Sequence, residues 1–134
     1  MPIEIKTIKR IFTQDKGSLQ FFEANRDIPF GIRRLYYITD VLEGVERGAH
    51  AHKTLKQYLF CPYGCIEILF DDGVVKYPVF LDTPDKGIII TPCVWRDMIW
   101  HKDNSVLCVA ASDYYNADDY IRDYETFLRH TKGN

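Results

Sequence analysis

Short stretches of alternating apolar and polar residues, separated by turn residues, run along most of the chain. The segment IEIKTIKRIF at residues 3–12 alternates and predicts a strand, and a turn at residues 15–17 leads into a second short strand. Further strands are predicted in GIRRLYYITDV, EGVERGAHAH, KQYLFCPYGCIEILFDDGVVKYPVFL (three strands), IIITPCVW and SVLCVAASDYY. Many short strands divided by turns predict an all-β fold, either a sandwich or a barrel.

The tail after the last predicted strand changes to helical spacing. In NADDYIRDYETFLRH the apolar residues fall at positions 120, 121, 124, 127 and 128, and Asn116 is placed to cap the first turn. We therefore expect a short C-terminal helix after the strands. Since no linker, repeat or low-complexity stretch divides the chain, we expect one domain over residues 1–134.

Composition and charge exclude several classes of function. The chain has 134 residues, 46% of them hydrophobic, and a formal net charge of −2, which does not suit a nucleic-acid-binding surface. No apolar run is long enough to span a bilayer, and the charged N-terminal stretch does not resemble a signal peptide. The four cysteines lack the paired short spacings of a zinc ribbon. We expect a cytoplasmic protein with reduced thiols and neither nucleic acid nor membrane as a partner.

Two histidines one residue apart are the first candidates for chemistry. In RGAHAHKTLKQ, His50 and His52 project to the same face of a strand, which we expect to be the interior of the barrel. The alternative is a pair of surface or hydrogen-bonded core residues, but two buried imidazoles need several polar partners. Their shared face favours a functional site, and imidazole suits acid–base work near neutral pH.

The spacing around these histidines resembles that of a known family. From Gly44 to Gly64 the chain follows G-x5-H-x-H-x4-Q-x6-G, which resembles the first motif of the cupins. The resemblance implies a double-stranded β-helix (jelly-roll) barrel. Gln57 stands where metal-binding cupins carry glutamate, and Arg96 stands where their second motif carries histidine. An amide is a poor metal ligand and a guanidinium is none, so we expect no metal and no cofactor. His101, in a polar turn, is the remaining alternative ligand.

Further segments resemble a particular group of cupins. KGSL, IPFGIRRLYYI, PCVWRDM and ASDYYNADDYIRDYETF, together with the histidine segment, are similar to the dTDP-sugar 3,4-ketoisomerases over residues 6–127. The resemblance implies a metal-independent isomerase that moves the keto group of dTDP-4-oxo-6-deoxy-D-glucose from C4 to C3, in deoxyamino-sugar biosynthesis. It also implies a homodimer with an exchanged N-terminal strand.

This reaction needs a base near C3, hydrogen-bond donors near the two oxygens and an acid near C4. We expect His50 to be the base, as the first histidine of the motif. His52 is the expected second proton carrier or oxygen donor. In RRLYYI, Arg34 and Tyr36 share one face, and we expect the phenol to meet a sugar oxygen and the guanidinium to meet phosphate or the enediolate.

Other polar residues are candidates for substrate binding. Arg47 and Lys53 flank the histidines and are expected either at the diphosphate or in solvent. Gln57 is expected to orient His52 or to bind a sugar hydroxyl, because an amide both donates and accepts.

Two positions depart from many of the similar isomerases. Lys16 stands where they carry arginine, and Arg96 where they carry histidine. The pair favours a gluco-configured product, since ammonium can donate a proton and guanidinium effectively cannot. The alternative is that both residues bind diphosphate or solvent.

Other functions remain open at this point. One is a binding-only cupin that recognises a sugar nucleotide without turnover. Another is the related 3,5-epimerase reaction, in which the base is coupled to an aspartate that cannot be placed from this sequence. A metal-dependent dioxygenase is weakened by Gln57 and Arg96.

Overall fold

The computed structural model describes residues 3–132, which form twelve strands, a 3-10 turn and one helix. The strands are β1 (Ile3–Thr7), β2 (Lys9–Thr13), β3 (Gly17–Phe21), β4 (Arg34–Ile38), β5 (Glu46–His52), β6 (Gln57–Tyr63), β7 (Ile66–Asp71), β8 (Lys76–Leu81), β9 (Lys86–Ile90), β10 (Trp95–Trp100), β11 (Val106–Ala111) and β12 (Tyr120–Ile121). The 3-10 turn (Ala117–Asp119) precedes β12, and helix α1 (Tyr124–Thr131) follows it. The prediction of an all-β fold with a short C-terminal helix is confirmed.

Ten of the strands form two five-stranded antiparallel sheets, in the orders β1-β9-β6-β11-β4 and β12-β5-β10-β7-β8. Strands that are distant in sequence lie side by side, as in a jelly roll. Backbone hydrogen bonds do not join the two sheets into one closed barrel within residues 3–132. The fold is therefore the predicted cupin-type jelly roll, in the form of two facing sheets.

Alternation along the strands builds the core between the sheets. On β7 every second residue, Ile66, Ile68 and Phe70, is fully buried. They belong to one apolar cluster with Leu59 of β6 and Val109 of β11, on the opposite sheet. Each such side chain contributes about 1.5–3 kcal/mol of apolar burial, so this cluster holds the two sheets together and fixes which face of each strand points inward.

The predicted N-terminal strand is two strands. β1 pairs with β9, from Ile3 opposite Ile90 to Thr7 opposite Lys86, and the chain then turns at the buried Ile8. β2 pairs with β3 in a separate two-stranded sheet, which we call the β2–β3 hairpin (residues 9–21). This hairpin exposes three large apolar side chains. They are Ile11 (53% exposed), Phe12 (67%) and Leu19 (61%).

The prediction of a single strand in IIITPCVW is wrong. β9 ends at Ile90, Pro92 follows, and Cys93 adopts a left-handed backbone conformation with a φ of 63°. Proline cannot donate to a β ladder, so the chain turns there. A separate strand, β10, then runs from Trp95 to Trp100 and was not predicted in its own right.

The predicted helix also begins later than expected. Asn116 caps the 3-10 turn, where its side chain accepts a hydrogen bond from the backbone N–H of Asp118. Tyr120 and Ile121 then pair with β5, and α1 begins only after its own N-cap, Asp123. The apolar positions of β12 and α1 together imitate one helical stripe, because both elements bury side chains against the same sheet.

No helix within residues 3–132 has both the length and the apolar character needed to cross a membrane. The cytoplasmic location stays a prediction. All four cysteines are free thiols, as expected.

Candidate active site

A β-bulge in β5 leads directly into the two histidines. His50 lies opposite Arg96 on β10, whereas Gly48 lies opposite Asp97, so Ala49 is an extra residue on β5, with a φ of 57°. Bulges of this kind re-aim side chains and are common beside functional sites. Beyond the bulge, His50 and His52 share one face as predicted, and their ring centroids are 5.0 Å apart.

A cavity of about 330 Å³ opens beside His50. Its lining is shared by β4, β5, β10 and the C-terminal segment, and comprises Arg34, Tyr36, Ile38, Arg47, Gly48, His50, Met98, Tyr115, Tyr120 and Arg122. Three of these ten described lining residues are arginines and none is acidic. The volume suits a small-molecule site, and the guanidinium groups favour an anionic ligand.

Alternation on β4 places Arg34 and Tyr36 on the cavity wall, as predicted, whereas Tyr37 is 67% exposed on the opposite face. The guanidinium of Arg34 lies over the ring of Tyr36, at 5.2 Å from its centroid. Burial raises the pKa of Tyr36 despite the lowering influence of Arg96, Arg34 and Gln57. The phenol is therefore protonated at neutral pH and can donate a hydrogen bond.

Gln57 and Arg96 form a buried pair next to Tyr36. They are only 1% and 2% exposed. Arg96 donates to Oε1 of Gln57 and, over 3.1 Å, to the carbonyl of Val94. Nε2 of Gln57 donates to the hydroxyl of Tyr36 over 3.2 Å. Gln57 thus contacts Tyr36 and Arg96, rather than His52 as one sequence-based expectation had it. Burial lowers the pKa of Arg96 to about 10, which leaves it charged at neutral pH.

His52 is paired with a carboxylate that sequence analysis did not place. Its Nδ1 lies 3.0 Å from Oδ2 of Asp119. The other carboxylate oxygen accepts hydrogen bonds from the backbone N–H and the hydroxyl of Thr54, each over 2.8 Å. Although burial raises the pKa of Asp119, these hydrogen bonds outweigh it and hold the pKa below its ordinary value. Since a carboxylate only accepts, Nδ1 of His52 carries the proton and Nε2 keeps its lone pair.

Both histidines are neutral at pH 7. Burial, with the positive charge of Arg96 acting in the same direction, lowers the pKa of His50 to about 3. Burial and Arg96 also lower the pKa of His52 to about 4, against the opposing influence of Asp119. A neutral imidazole is the form that accepts a proton, so His50 is ready to act as a base at the cavity wall.

The C-terminal segment completes the site with residues that sequence analysis missed. The ring of Tyr120 lies 5.2 Å from that of His50 and 4.4 Å from that of His52, centroid to centroid. Arg122 lies over Tyr120, at 4.4 Å, and Tyr115 also lines the cavity. All of them, with Asp119, fall in ASDYYNADDYIRDYETF, a block that carried the family resemblance. The family resemblance of this block was therefore the sequence signal that could have identified these residues.

Three sequence candidates lie elsewhere in this chain. Lys16 is exposed at the tip of the β2–β3 hairpin, away from the cavity lining. Lys53 is exposed as well, and its backbone N–H donates to the carbonyl of Asp119 over 2.9 Å. His101 follows β10 and contacts Glu67 over 2.8 Å. Arg47, by contrast, is exposed but does line the cavity.

The donor set around the histidines does not fit a metal ion. No group of three or more histidine, cysteine, aspartate or glutamate side chains within residues 3–132 is placed to hold one. The amide oxygen of Gln57, where metal-binding cupins place glutamate, faces the guanidinium of Arg96. A fixed positive charge at this point disfavours a cation. Metal independence stays a prediction.

Comparison with known proteins gives consistent results over the length of the chain. The family described as "FdtA: WxcM-like, C-terminal" matches residues 1–132. The TDP-4-oxo-6-deoxy-alpha-D-glucose-3,4-oxoisomerase of Aneurinibacillus thermoaerophilus is 40% identical over 130 residues, which are 97% of this chain and 93% of that protein.

Solved structures agree closely with this fold. A 3,4-ketoisomerase from Helicobacter canadensis superposes with a TM-score of 0.94 at 39% identity, over 98% of both chains. A sugar 3,4-ketoisomerase from Thermoanaerobacterium thermosaccharolyticum in complex with TDP gives 0.94 at 37% identity, over 98% of this chain and 96% of that one. A mutant of the latter, in complex with TDP-4-keto-6-deoxyglucose, also gives 0.94, at 36% identity over 99% and 96%. With the histidine pair, the arginine-lined cavity and these similarities together, the chain belongs to the sugar-nucleotide 3,4-ketoisomerase family.

Proposed function

We propose that this protein moves the keto group of dTDP-4-oxo-6-deoxy-D-glucose from C4 to C3, with His50 as the base. The observation that carries the proposal is the neutral imidazole of His50 on the wall of an arginine-lined cavity, with the phenol of Tyr36 on the same wall. The cavity supplies what proton transfer next to a carbonyl requires, namely an uncharged base and a hydrogen-bond donor.

The reaction is a transfer of two protons. His50 removes the proton on C3, and the electrons of that C–H bond form the C3–C4 double bond while O4 takes negative charge. The hydroxyl proton passes from O3 to O4, and C4 then receives a proton while the C3–O bond becomes the carbonyl. Tyr36 donates a hydrogen bond to the enediolate oxygens, where the charge develops. No electron enters or leaves the substrate.

His52 and Asp119 support this proton transfer. The carboxylate fixes the tautomer of His52 by accepting the Nδ1 proton over 3.0 Å. That leaves Nε2, a buried nitrogen with no hydrogen-bond partner in the described part of the chain, free to accept a proton. His52 is therefore our candidate for the second proton carrier.

The substrate's diphosphate is assigned to the arginines. Arg34, Arg47 and Arg122 line the cavity, and guanidinium groups bind phosphate oxygens in a bidentate manner. The structures of the Thermoanaerobacterium relative with TDP and of its mutant with TDP-4-keto-6-deoxyglucose support this choice of substrate.

Proton NMR of dTDP-4-oxo-6-deoxyglucose with the protein in deuterated water tests the proposal. We expect a 3-oxo product with deuterium at C4. Deuterium at C3 and C5 with the 4-keto group retained would indicate the 3,5-epimerase reaction. No exchange at all, with binding intact, would indicate a non-catalytic sugar-nucleotide-binding protein.

The configuration of the product at C4 is a finer proposal. A gluco product requires a proton donor on the face of the sugar opposite the base. Arg96 lies beside His50 and stays charged at neutral pH, so it is not that donor. Lys16 reaches the cavity only if the hairpin of a second copy carries it there. A small H4–H5 coupling in the product would indicate an axial hydroxyl and contradict the gluco assignment.

We also propose a homodimer, on the basis of the β2–β3 hairpin. The hairpin carries exposed Ile11, Phe12 and Leu19, a patch that favours burial against another surface. In an exchanged dimer the partner's β1 would take the place that β1 holds here beside β9. Light scattering is expected to give a dimer for the natural chain and a monomer for Phe12→Glu. Val74→Glu is the matched control, because Val74 is 91% exposed in a different turn. A monomeric natural chain at micromolar concentration would contradict the dimer.

A further inference from the structure

The hydroxyl of Tyr36 has a defined hydrogen-bond partner on its buried side. Nε2 of Gln57 donates to it over 3.2 Å. A phenol can accept from one neighbour and donate its own proton to another. Because the oxygen accepts on the Gln57 side, its proton is directed away from Gln57, toward the cavity that Tyr36 lines.

The direction of this hydrogen bond is set by Arg96. A guanidinium has only donors, so the amide of Gln57 must turn its oxygen toward Arg96. This orientation leaves the NH₂ group of the amide facing the hydroxyl of Tyr36. A reversed amide would place two donor groups against each other in a site where both residues are almost fully buried. Such a buried conflict is costly, and the arrangement is therefore fixed.

The sheet that contains β6, β11 and β4 holds Gln57 and Tyr36 in register, and Arg96 reaches Gln57 from β10 of the facing sheet. Gln57 on β6 lies opposite Ala111 of β11, and Tyr36 on β4 lies opposite Val109 of the same strand. The two side chains therefore meet diagonally across β11, where Ala111 contributes only a methyl group. Because β11 lies between β6 and β4, the contact depends on the reach of the long amide and phenol side chains across the small Ala111.

We propose that Gln57, held by Arg96, is a positioning residue that keeps the phenolic proton of Tyr36 directed into the cavity. There the proton meets the oxygen on which the enediolate charge develops. This inference rests on the proposed isomerase function and adds to it a residue that acts through Tyr36 rather than on the substrate. It assigns a catalytic consequence to a glutamine at a position where metal-binding cupins carry a ligand.

Gln57→Glu tests the direction of the hydrogen bond. Glutamate has nearly the same shape, and its carboxylate can still accept from Arg96, but it has no N–H to offer Tyr36. The phenol would then donate its proton to Glu at position 57 and withhold it from the substrate. We expect kcat to fall by about 10²-fold, as when one oxyanion donor is removed, while TDP affinity measured by calorimetry is unchanged.

The decisive measurement is a double-mutant cycle with Tyr36→Phe. Once the phenol is absent, Gln57→Glu should change kcat by less than about twofold, because residues that act as a unit are non-additive. Tyr37→Phe is the matched control, since Tyr37 is on the same strand but faces solvent. In the Tyr37→Phe background, Gln57→Glu should still lower kcat by about 10²-fold.

Two results would overturn the inference. One is a Gln57→Glu enzyme with natural kcat. The other is a loss of kcat that persists in the Tyr36→Phe background. A displaced acid limb of the kcat profile in that background would show that the added charge acts on His50. If Gln57→Glu fails to fold, the same cycle with Gln57→Met, which is neutral, gives the answer. Absence of isomerase activity in the natural protein would instead contradict the proposed function.

Discussion

The Nδ1 atom of His52 and the Oδ2 atom of Asp119 lie 3.0 Å apart, although 67 positions separate the two residues in the chain. The contact exists because β12 pairs with β5, with Tyr120 opposite His52. It fixes the tautomer and orientation of an imidazole that would otherwise rotate in its pocket. Asp119 contacts His52, the second histidine of the motif, whereas His50, the first histidine, lines the cavity.

Asp119→Asn is expected to lower kcat by about ten- to hundredfold, since a hydrogen bond to a charged group contributes about 1.5–3 kcal/mol and 1.36 kcal/mol is a factor of ten in rate. The amide can present its NH₂ group to His52 and so favours the other tautomer. Steady-state kinetics checks the change. Asp118→Asn, at the exposed neighbouring position, should retain natural kinetics. Equal losses for the two variants would contradict a specific role for Asp119.

His50→Asn is expected to abolish turnover, with a loss of about 10²–10⁴-fold or more, because the variant lacks the positioned base. TDP affinity should remain within a few-fold, since the diphosphate is assigned to the arginines. Product formation and TDP calorimetry are the two measurements. An active His50→Asn enzyme would refute the assignment of the base.

The pH dependence of kcat/KM should lack an acid limb near the ordinary histidine pKa. A base works in its neutral form, and the pKa of His50 is lowered to about 3, so this form persists well below pH 6. We expect kcat/KM to be nearly constant between about pH 5 and 8. A tenfold fall in kcat/KM for each pH unit below about 6.5 would contradict this prediction.

The same lowered pKa values make the fold less stable in acid. Below pH 6.5 the unfolded chain binds protons that the folded chain excludes, at His50 down to about pH 3 and at His52 down to about pH 4. Far-UV circular dichroism at each pH therefore separates unfolding from titration of the base.

Extensive dialysis against a chelator is expected to leave activity unchanged. The position of a metal-binding glutamate is held by Gln57, whose amide oxygen is engaged by Arg96. The assay is kcat before and after dialysis, with and without added divalent ions. Activity that disappears and returns with an added ion would contradict this interpretation of the two residues.

Gly64→Ala should be among the most destabilising single changes in the chain. Gly64 has a φ of +106°, and an added Cβ would lie 1.9 Å from Oγ and 2.7 Å from Cα of the buried Ser105. We expect a loss of about 3 kcal/mol or more in the free energy of unfolding, from strain and overlap together. Urea denaturation measures it.

Gly44→Ala is the matched control for that change. Gly44 also has a positive φ, +90°, but open space surrounds the site of its Cβ. Only the backbone strain remains, about 1–2 kcal/mol. Equal destabilisation by the two substitutions would show that the overlap with Ser105 does not matter.

Periodicity predicted the part of the site that lies on regular strands. Arg34 with Tyr36, and His50 with His52, are each two residues apart, and that spacing alone places each pair on one face. Which strands lie beside each other is a tertiary property. The meeting of Gln57 with Tyr36 across β11 therefore could not be derived from spacing.

The errors have equally specific causes. The run IIITPCVW is apolar apart from Thr91, so its composition concealed a turn that Pro92 and the left-handed Cys93 create. In the tail, β12 and α1 bury their side chains with one helical spacing, so the spacing alone predicts helix across the strand as well. That error concealed Asp119 and Tyr120, which face the histidines only because Tyr120 and Ile121 extend a sheet.

The late position of β12 in the chain has a consequence for biosynthesis. A protein leaves the ribosome from its N-terminus, so β1 to β11 are available for folding before residues 119–122 have been exposed. Until then His52 has no carboxylate partner and the cavity lacks the wall formed by Tyr120 and Arg122. If the proposed roles of these residues hold, a nascent chain that has formed the apolar cluster between the two sheets acquires acid–base competence only when residues 119–122 have followed.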